Sequence, residues 1–292
     1  MPFDLSAPTS PREVALLLKK NGLHPRKGLG QSFLVDKETA ARIVGAAEVH
    51  PGDPIIEIGP GLGALTLPLA KSGAEVLALE IDAGLFRVMQ EMFRCFSSVK
   101  IVHADALQTK WDQLASSCFK GESRVKLISN LPYSISSPLL YQLLEQRFPF
   151  SRAVIMLQTE VAQRLVAPPG GKDYSSISVL SQYYTRGKIL FKVSRHQFWP
   201  RPEVESAVVR LEPRLPLLEI SQEKLLWKLV KGVFQVRRKT ILNGLLNTFS
   251  WKREEALKML HDSLIDPLRR PETLSVEEFA NLCLMIYNKG SR

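Results

Sequence analysis

Asn130-Leu131-Pro132-Tyr133 carries the groups that methylation of a base amine needs. The exocyclic amine of a nucleobase is a poor nucleophile because its lone pair is delocalised into the ring. Acceptors placed on its N–H groups localise that pair and favour a tetrahedral nitrogen. Asn130 offers a side-chain carbonyl oxygen, and Leu131 offers a backbone carbonyl. Pro132 holds its own φ at about −65° and removes a competing donor. Tyr133 presents a ring on which a flipped base can stack. Taken alone, the tetrapeptide also reads as a short β run over 125–129 ending in an Asn-x-Pro turn.

A second set of residues lies upstream. The apolar β run 54–58 leads into Gly59-Pro60-Gly61-Leu62-Gly63-Ala64, and a helix-like stretch follows over 65–72. Strand, glycine turn and helix start form the context of a nucleotide-binding loop. Another strand, 75–80, ends in Glu80, a carboxylate placed to accept both hydroxyls of a ribose. A third, 99–102, runs into His103-Ala104-Asp105, where Asp105 is placed to accept from an adenine amino group. Gly59-x-Gly61-x-x-Ala64 also satisfies the relaxed dinucleotide fingerprint, which keeps NAD in view. Two features favour S-adenosylmethionine instead. Glu57 stands two residues before the first glycine, where an acid suits a cationic ligand, and a dehydrogenase has no use for Asn-Leu-Pro-Tyr.

With these motifs in order, the chain resembles the ribosomal RNA adenine dimethyltransferases of the bacterial small-subunit (KsgA/RsmA) type, from about residue 28 to 287. Gly28-Leu29-Gly30-Gln31-Ser32-Phe33-Leu34 resembles that family's N-terminal motif, with Ser32 where Asn is usual. Phe198-Trp199-Pro200-Arg201-Pro202-Glu203-Val204-Glu205-Ser206 resembles its late Phe-x-Pro-x-Pro-x-Val-x-Ser motif. Residues 234–240 and 270–275 resemble its helical tail. The resemblance implies a class I S-adenosylmethionine-dependent methyltransferase: a Rossmann-like α/β domain with a seven-stranded sheet, an antiparallel final strand and a small all-α C-terminal domain. It implies a cofactor site of Ser32, Leu34, Glu57, Gly59, Gly61, Glu80, Asp105 and Asn130. The implied catalytic group is Asn130, Leu131, Pro132, Tyr133 and Phe198, with Phe198 on the opposite face of the target base from Tyr133. Dimethylation at N6 of two adjacent adenosines near the 3′ end of small-subunit (16S) ribosomal RNA, during subunit assembly, is the implied activity. A relative that methylates large-subunit RNA and confers macrolide resistance uses the same motifs. An RNA-binding assembly factor with secondary chemistry is the reading from another class. No general base is evident, and catalysis would rest on positioning.

Composition fits this outline. The chain has 292 residues, 45% of them hydrophobic, enough for one large α/β domain and a smaller second one. Its net charge of +10 suits a polyanionic partner, here ribosomal RNA or an assembling small subunit. The last 80 residues hold half of that surplus, densest at Arg237-Arg238-Lys239, read as phosphate contacts rather than as a solvated helix face. Lys19, Lys20, Arg26 and Lys27 form a second basic group. The expected organisation is a basic arm over 1–30, the methyltransferase domain over 31–212 and a helical RNA-binding domain over 213–292. Helices are expected over 11–20 (with Ser10 as cap), 223–236, 237–247, 252–260 and 276–287. Residues 1–10 are expected to be poorly ordered. Isolated Cys95, Cys118 and Cys283 predict neither disulfides nor zinc, and the five histidines show no metal spacing. No segment reads as a membrane span or a secretory signal, so a cytoplasmic protein is expected; a monomer is expected too.

Overall fold

The computed structural model describes residues 7–119 and 125–290. It separates into two compact units. The first comprises the described residues up to Ala162 together with Lys188–Pro213; the second comprises Gln163–Gly187 and the residues from Arg214 onward.

The first unit is a sheet flanked by helices. Its strands are β1 (Phe33–Leu34), β2 (Pro54–Ile58), β3 (Glu75–Glu80), β4 (Val99–His103), β5 (Val125–Asn130), β6 (Phe150–Gln158), β7 (Thr185–Val193), β8 (Phe198–Trp199) and β9 (Ser206–Pro213). Seven of them form one sheet in the order β4-β3-β2-β5-β6-β9-β7, while β1 and β8 pair separately. β4 through β6 are parallel to one another, and β9 runs antiparallel to β6. β2 is buried along its whole length, and so is β3 after Glu75. That is why these strands read as near-continuous apolar runs: helices cover both faces. The helices of this unit are α1 (Pro11–Lys20), α2 (Lys37–Ala46), α3 (Thr66–Lys71), α4 (Ala83–Met92), α5 (Trp111–Cys118) and α6 (Ser136–Glu145). Strand order reverses between β2 and β5, so a crevice opens beyond their carboxyl ends, where ligands bind in such sheets.

α7 (Thr159–Val166) leads into the second unit, which holds α8 (Ser176–Tyr184), α9 (Ile220–Gln235), α10 (Ile241–Phe249), α11 (Arg253–Asp262) and α12 (Val276–Gly290). Residues 163–187 therefore belong with the C-terminal helices, not with the sheet domain expected over 31–212. A buried polar network accounts for this. The hydroxyls of Tyr183 and Tyr184 donate to the Glu223 carboxylate at 3.1 and 2.8 Å, and Trp227 Nε1 donates to the Tyr184 hydroxyl at 2.9 Å. The Tyr174 hydroxyl, also buried, donates to the Leu274 carbonyl.

The N-terminal arm differs too. Residues 1–6 of the stretch expected to be poorly ordered lie outside the described residues. Beyond them, Ala7 is buried, and α1 begins where expected, with Ser10 accepting from the Glu13 N–H and Pro11 in the first turn. Val14 and Leu18 of α1 pack with Phe33, Leu62, Leu85 and Val88, which docks the arm onto the sheet unit. Arg237-Arg238-Lys239 does not start a helix. The three residues form the turn between α9 and α10, and Thr240 caps α10 by accepting from the Asn243 N–H. Among the described residues, no helix is long and apolar enough to cross a membrane.

Candidate active site

The crevice is lined by the ends of four strands and by the β1 segment. Ser32, Leu34, Glu57, Gly59, Gly61, Glu80, Asp105, Asn130, Leu131, Pro132 and Tyr133 all face one pocket. Two glycines let these pieces approach. Gly59 has φ +66°, and a Cβ there would meet Pro132 Cγ at 2.9 Å; Gly61 has φ +58°, and a Cβ there would meet the Phe33 ring at 3.1 Å. Left-handed backbone strains any side chain at both positions, and at Gly59 a Cβ would also force Pro132 to shift.

Two buried carboxyls face the pocket. Glu57 is 1% exposed and accepts a hydrogen bond from the Thr66 hydroxyl at 2.7 Å. Desolvation pushes its pKa up to about 8, with the nearby Glu80 adding to the rise. Glu80 accepts from the Asp82 N–H at 2.8 Å, and burial lifts its pKa to about 7. Buried acids without a cation are held towards neutrality, and a ligand bringing positive charge or hydroxyl donors restores their charge. Asp105 is fixed by accepting from the Leu107 N–H at 2.8 Å and from Gln108 Nε2 at 3.2 Å; each oxygen keeps a lone pair for a ligand donor.

Asn130 Oδ1 is buried with no hydrogen-bond partner among the described residues, while Nδ2 donates to the Ser32 carbonyl at 3.5 Å. The Leu131 side chain is fully buried and its N–H donates to Met156 O, so its carbonyl is the group left to serve the pocket. Tyr133 is half-buried, and its hydroxyl bonds Ser206 Oγ at 2.5 Å.

Three expectations are corrected or narrowed. Phe198 does not reach the pocket: it is 3% exposed within the core formed by Leu34, Ile43, Ile128 and Val208. Its ring is buried among those core side chains, so no stacking face is presented. The Ser32 hydroxyl donates to the Pro200 carbonyl at 2.7 Å, so at the pocket it lines it can serve a ligand only as an acceptor. Arg237 is engaged by the Glu272 carboxylate and by the Lys172 carbonyl, whereas Arg238 and Lys239 are exposed. In the N-terminal basic group, Arg26 pairs with Asp82 at 3.2 Å.

Sequence reasoning missed Asp82, and it named Ser206 only as the end of the late motif, not as the partner of Tyr133. Asp82 caps α4 through the Gly84 and Leu85 N–H groups and accepts from Gln31 Nε2 at 3.1 Å, tying the N-terminal motif to the strand that carries Glu80. An Asp just before a helix was the available signal. No local signal marks Ser206 as the partner of Tyr133, 73 residues away.

The pocket fits S-adenosylmethionine: buried acids for a cationic ligand, a carboxylate at the end of β3 for a ribose, and a glycine loop. Comparison with known proteins agrees. Residues 22–284 match the family described as ribosomal RNA adenine dimethylase. The chain belongs to that family. It is therefore a methyltransferase of ribosomal RNA that uses S-adenosylmethionine. It is 43% identical over 278 residues to ribosomal RNA small subunit methyltransferase A of Moorella thermoacetica, covering 94% of this chain and 96% of that one. The protein of the same name from Pelotomaculum thermopropionicum is 42% identical, with 97% and 98% covered. Among solved structures, a dimethyladenosine transferase from Plasmodium falciparum superposes with a TM-score of 0.71 at 25% identity, covering 87% of this chain and 96% of that one. The 23S rRNA methyltransferase ErmE superposes at 0.65 with 26% identity, covering 87% and 99%.

Proposed function

We propose that this rRNA adenine dimethylase places two methyl groups on N6 of each of two adjacent adenosines near the 3′ end of small-subunit ribosomal RNA, within an assembling subunit in the cytoplasm, acting as a monomer. The observation that carries the chemistry is the buried, unpartnered Oδ1 of Asn130. A buried acceptor with no protein partner costs free energy, which a donor arriving with the substrate offsets. The adenine amine is such a donor, through its N–H groups. Asn130 Oδ1 and the Leu131 carbonyl accept from it, and these bonds strengthen as the nitrogen becomes tetrahedral. Tyr133 supplies one stacking face for the flipped base. When bound, the cofactor supplies an electrophilic methyl group. Glu57 would lie near its positive charge, Glu80 would hold its ribose hydroxyls, and Asp105 would hold its adenine amine.

Small-subunit rather than large-subunit RNA is favoured by the names of the relatives at 42–43% identity, against 26% for the large-subunit enzyme. The exposed Arg238 and Lys239 offer phosphate contacts in the helical unit. The test is to incubate the protein with methyl-labelled S-adenosylmethionine and unmodified small or large subunits, then map the label by nuclease digestion. Label confined to large-subunit RNA would refute the proposal.

A further inference from the structure

We infer that Arg201 is a phosphate-binding residue for the RNA strand that delivers the target adenosine. The inference rests on the methyltransferase reading and adds a contact to it. Arg201 follows Pro200, whose carbonyl accepts from the Ser32 hydroxyl at 2.7 Å, and Ser32 lines the pocket. The β1–β8 ladder, with Phe33 opposite Trp199, ties the same segment to the pocket wall. Arg201 is thus one residue from an anchor on the rim. Pro202 after it restricts its backbone to extended conformations, and Pro200 before it fixes another φ, so little loop entropy is lost on binding.

The way Arg201 is held matters more than its charge. Its Nη2 lies 2.9 Å from His196 Nε2. Because a guanidinium has no acceptor, the imidazole nitrogen is the acceptor in this pair. A neutral acceptor orients the guanidinium without cancelling its charge. Arg26 contrasts with this, since its Nε faces the Asp82 carboxylate. Arg195 is also occupied, donating to the Glu203 carbonyl at 3.2 Å. The exposed carboxylates of Glu203 and Glu205 in the same loop reduce the local field. Arg201 is exposed and keeps further N–H donors for a bidentate grip on a phosphate. A base flipped into the pocket leaves its flanking phosphates near the rim, and Arg201 follows directly on Pro200, which Ser32 anchors there.

The test compares the wild type with Arg201→Ala, Arg201→Lys and His196→Ala, binding protein-free small-subunit RNA and intact unmethylated small subunits over a range of salt. Arg201→Ala is expected to weaken both complexes and to flatten the plot of log K against log salt by about 0.7–0.9. Arg201→Lys keeps the slope and binds between the two, because the charge remains while the bidentate geometry goes. His196→Ala also keeps the slope. Calorimetric affinity for S-adenosylmethionine stays at the wild-type value in Arg201→Ala, which separates RNA contact from a collapsed pocket. An unchanged slope in Arg201→Ala overturns the inference. A loss seen with intact subunits but not with protein-free RNA also overturns it, since the partner would then be a subunit protein. Failure of the wild type to methylate either substrate would sink the methyltransferase reading itself.

Discussion

Asn130→Ala is expected to remove turnover while leaving the fold as stable as before, or slightly more stable. In the folded protein the Oδ1 atom is buried and unpartnered, a situation that costs about 1–3 kcal/mol. Truncation removes that penalty. It also removes the Nδ2 bond to the Ser32 carbonyl, but at 3.5 Å that bond is at the limit of hydrogen bonding and worth little. The vacated volume opens into the existing pocket, so no sealed cavity forms. Each kcal/mol corresponds to about 2–4 °C in Tm for a unit of this size, so Tm should hold or rise by a few degrees. The chemical step should slow by about 10²–10³, the usual cost of deleting one group aimed at the transition state. Single-turnover transfer from labelled S-adenosylmethionine, calorimetric cofactor affinity and a thermal melt are the three readouts. Cofactor affinity should stay within a few-fold. A variant that melts well below the wild type while methylating at a near-normal rate would refute the reasoning, because Asn130 would then be a structural residue.

Glu57 should impose a pH dependence on stability. With its folded pKa near 8 against an ordinary 4.5, the folded protein retains a proton that the unfolded chain has lost across that window. Stability therefore falls as pH rises from about 4.5 to 8 and levels off above, and Glu57→Gln should reduce that slope in urea titrations, leaving the part that Glu80 contributes up to about 7. Glu80→Ala should weaken S-adenosylmethionine binding by about 1–3 kcal/mol through two lost ribose hydrogen bonds, and calorimetry showing tighter NAD binding would contradict the cofactor assignment. Tyr133→Phe and Ser206→Ala each remove the hydroxyl contact that holds the Tyr133 ring, so the double variant should lose no more kcat than either single one; additive losses would show that the two act separately. In the second unit, Arg238→Ala with Lys239→Ala should flatten the salt dependence of subunit binding, whereas Arg237→Ala should chiefly lower Tm, because its guanidinium is tied to Glu272 and Lys172. Equal slope changes for Arg237 and for the exposed pair would return Arg237 to the RNA surface.

The features legible in the amino acids alone were local and chemical. Gly59 and Gly61 are required wherever the backbone must take positive φ against a neighbouring ring, so a glycine turn after an apolar strand announces the loop from residue types alone. Glu57, Glu80, Asp105 and Asn130 sit at or just beyond the carboxyl ends of successive parallel strands. Strand alternation alone therefore brings them to one crevice. Other facts needed tertiary contacts, because a burial pattern says that a face is covered without saying by what. Residues 163–187 fall inside the expected sheet domain, and contacts such as the Glu223 carboxylate meeting two tyrosine hydroxyls assign them to the helical unit. Phe198 sits in a motif, but the core side chains packed around it bury it. Arg237 stands in a charge run, yet its fate is set by Glu272, 35 residues away. Asn130 could be recognised as an acceptor from its type; that its oxygen is buried without a protein partner, on a residue that lines the pocket, depends on Ser32, β5 and β6, which the chain brings together only on folding.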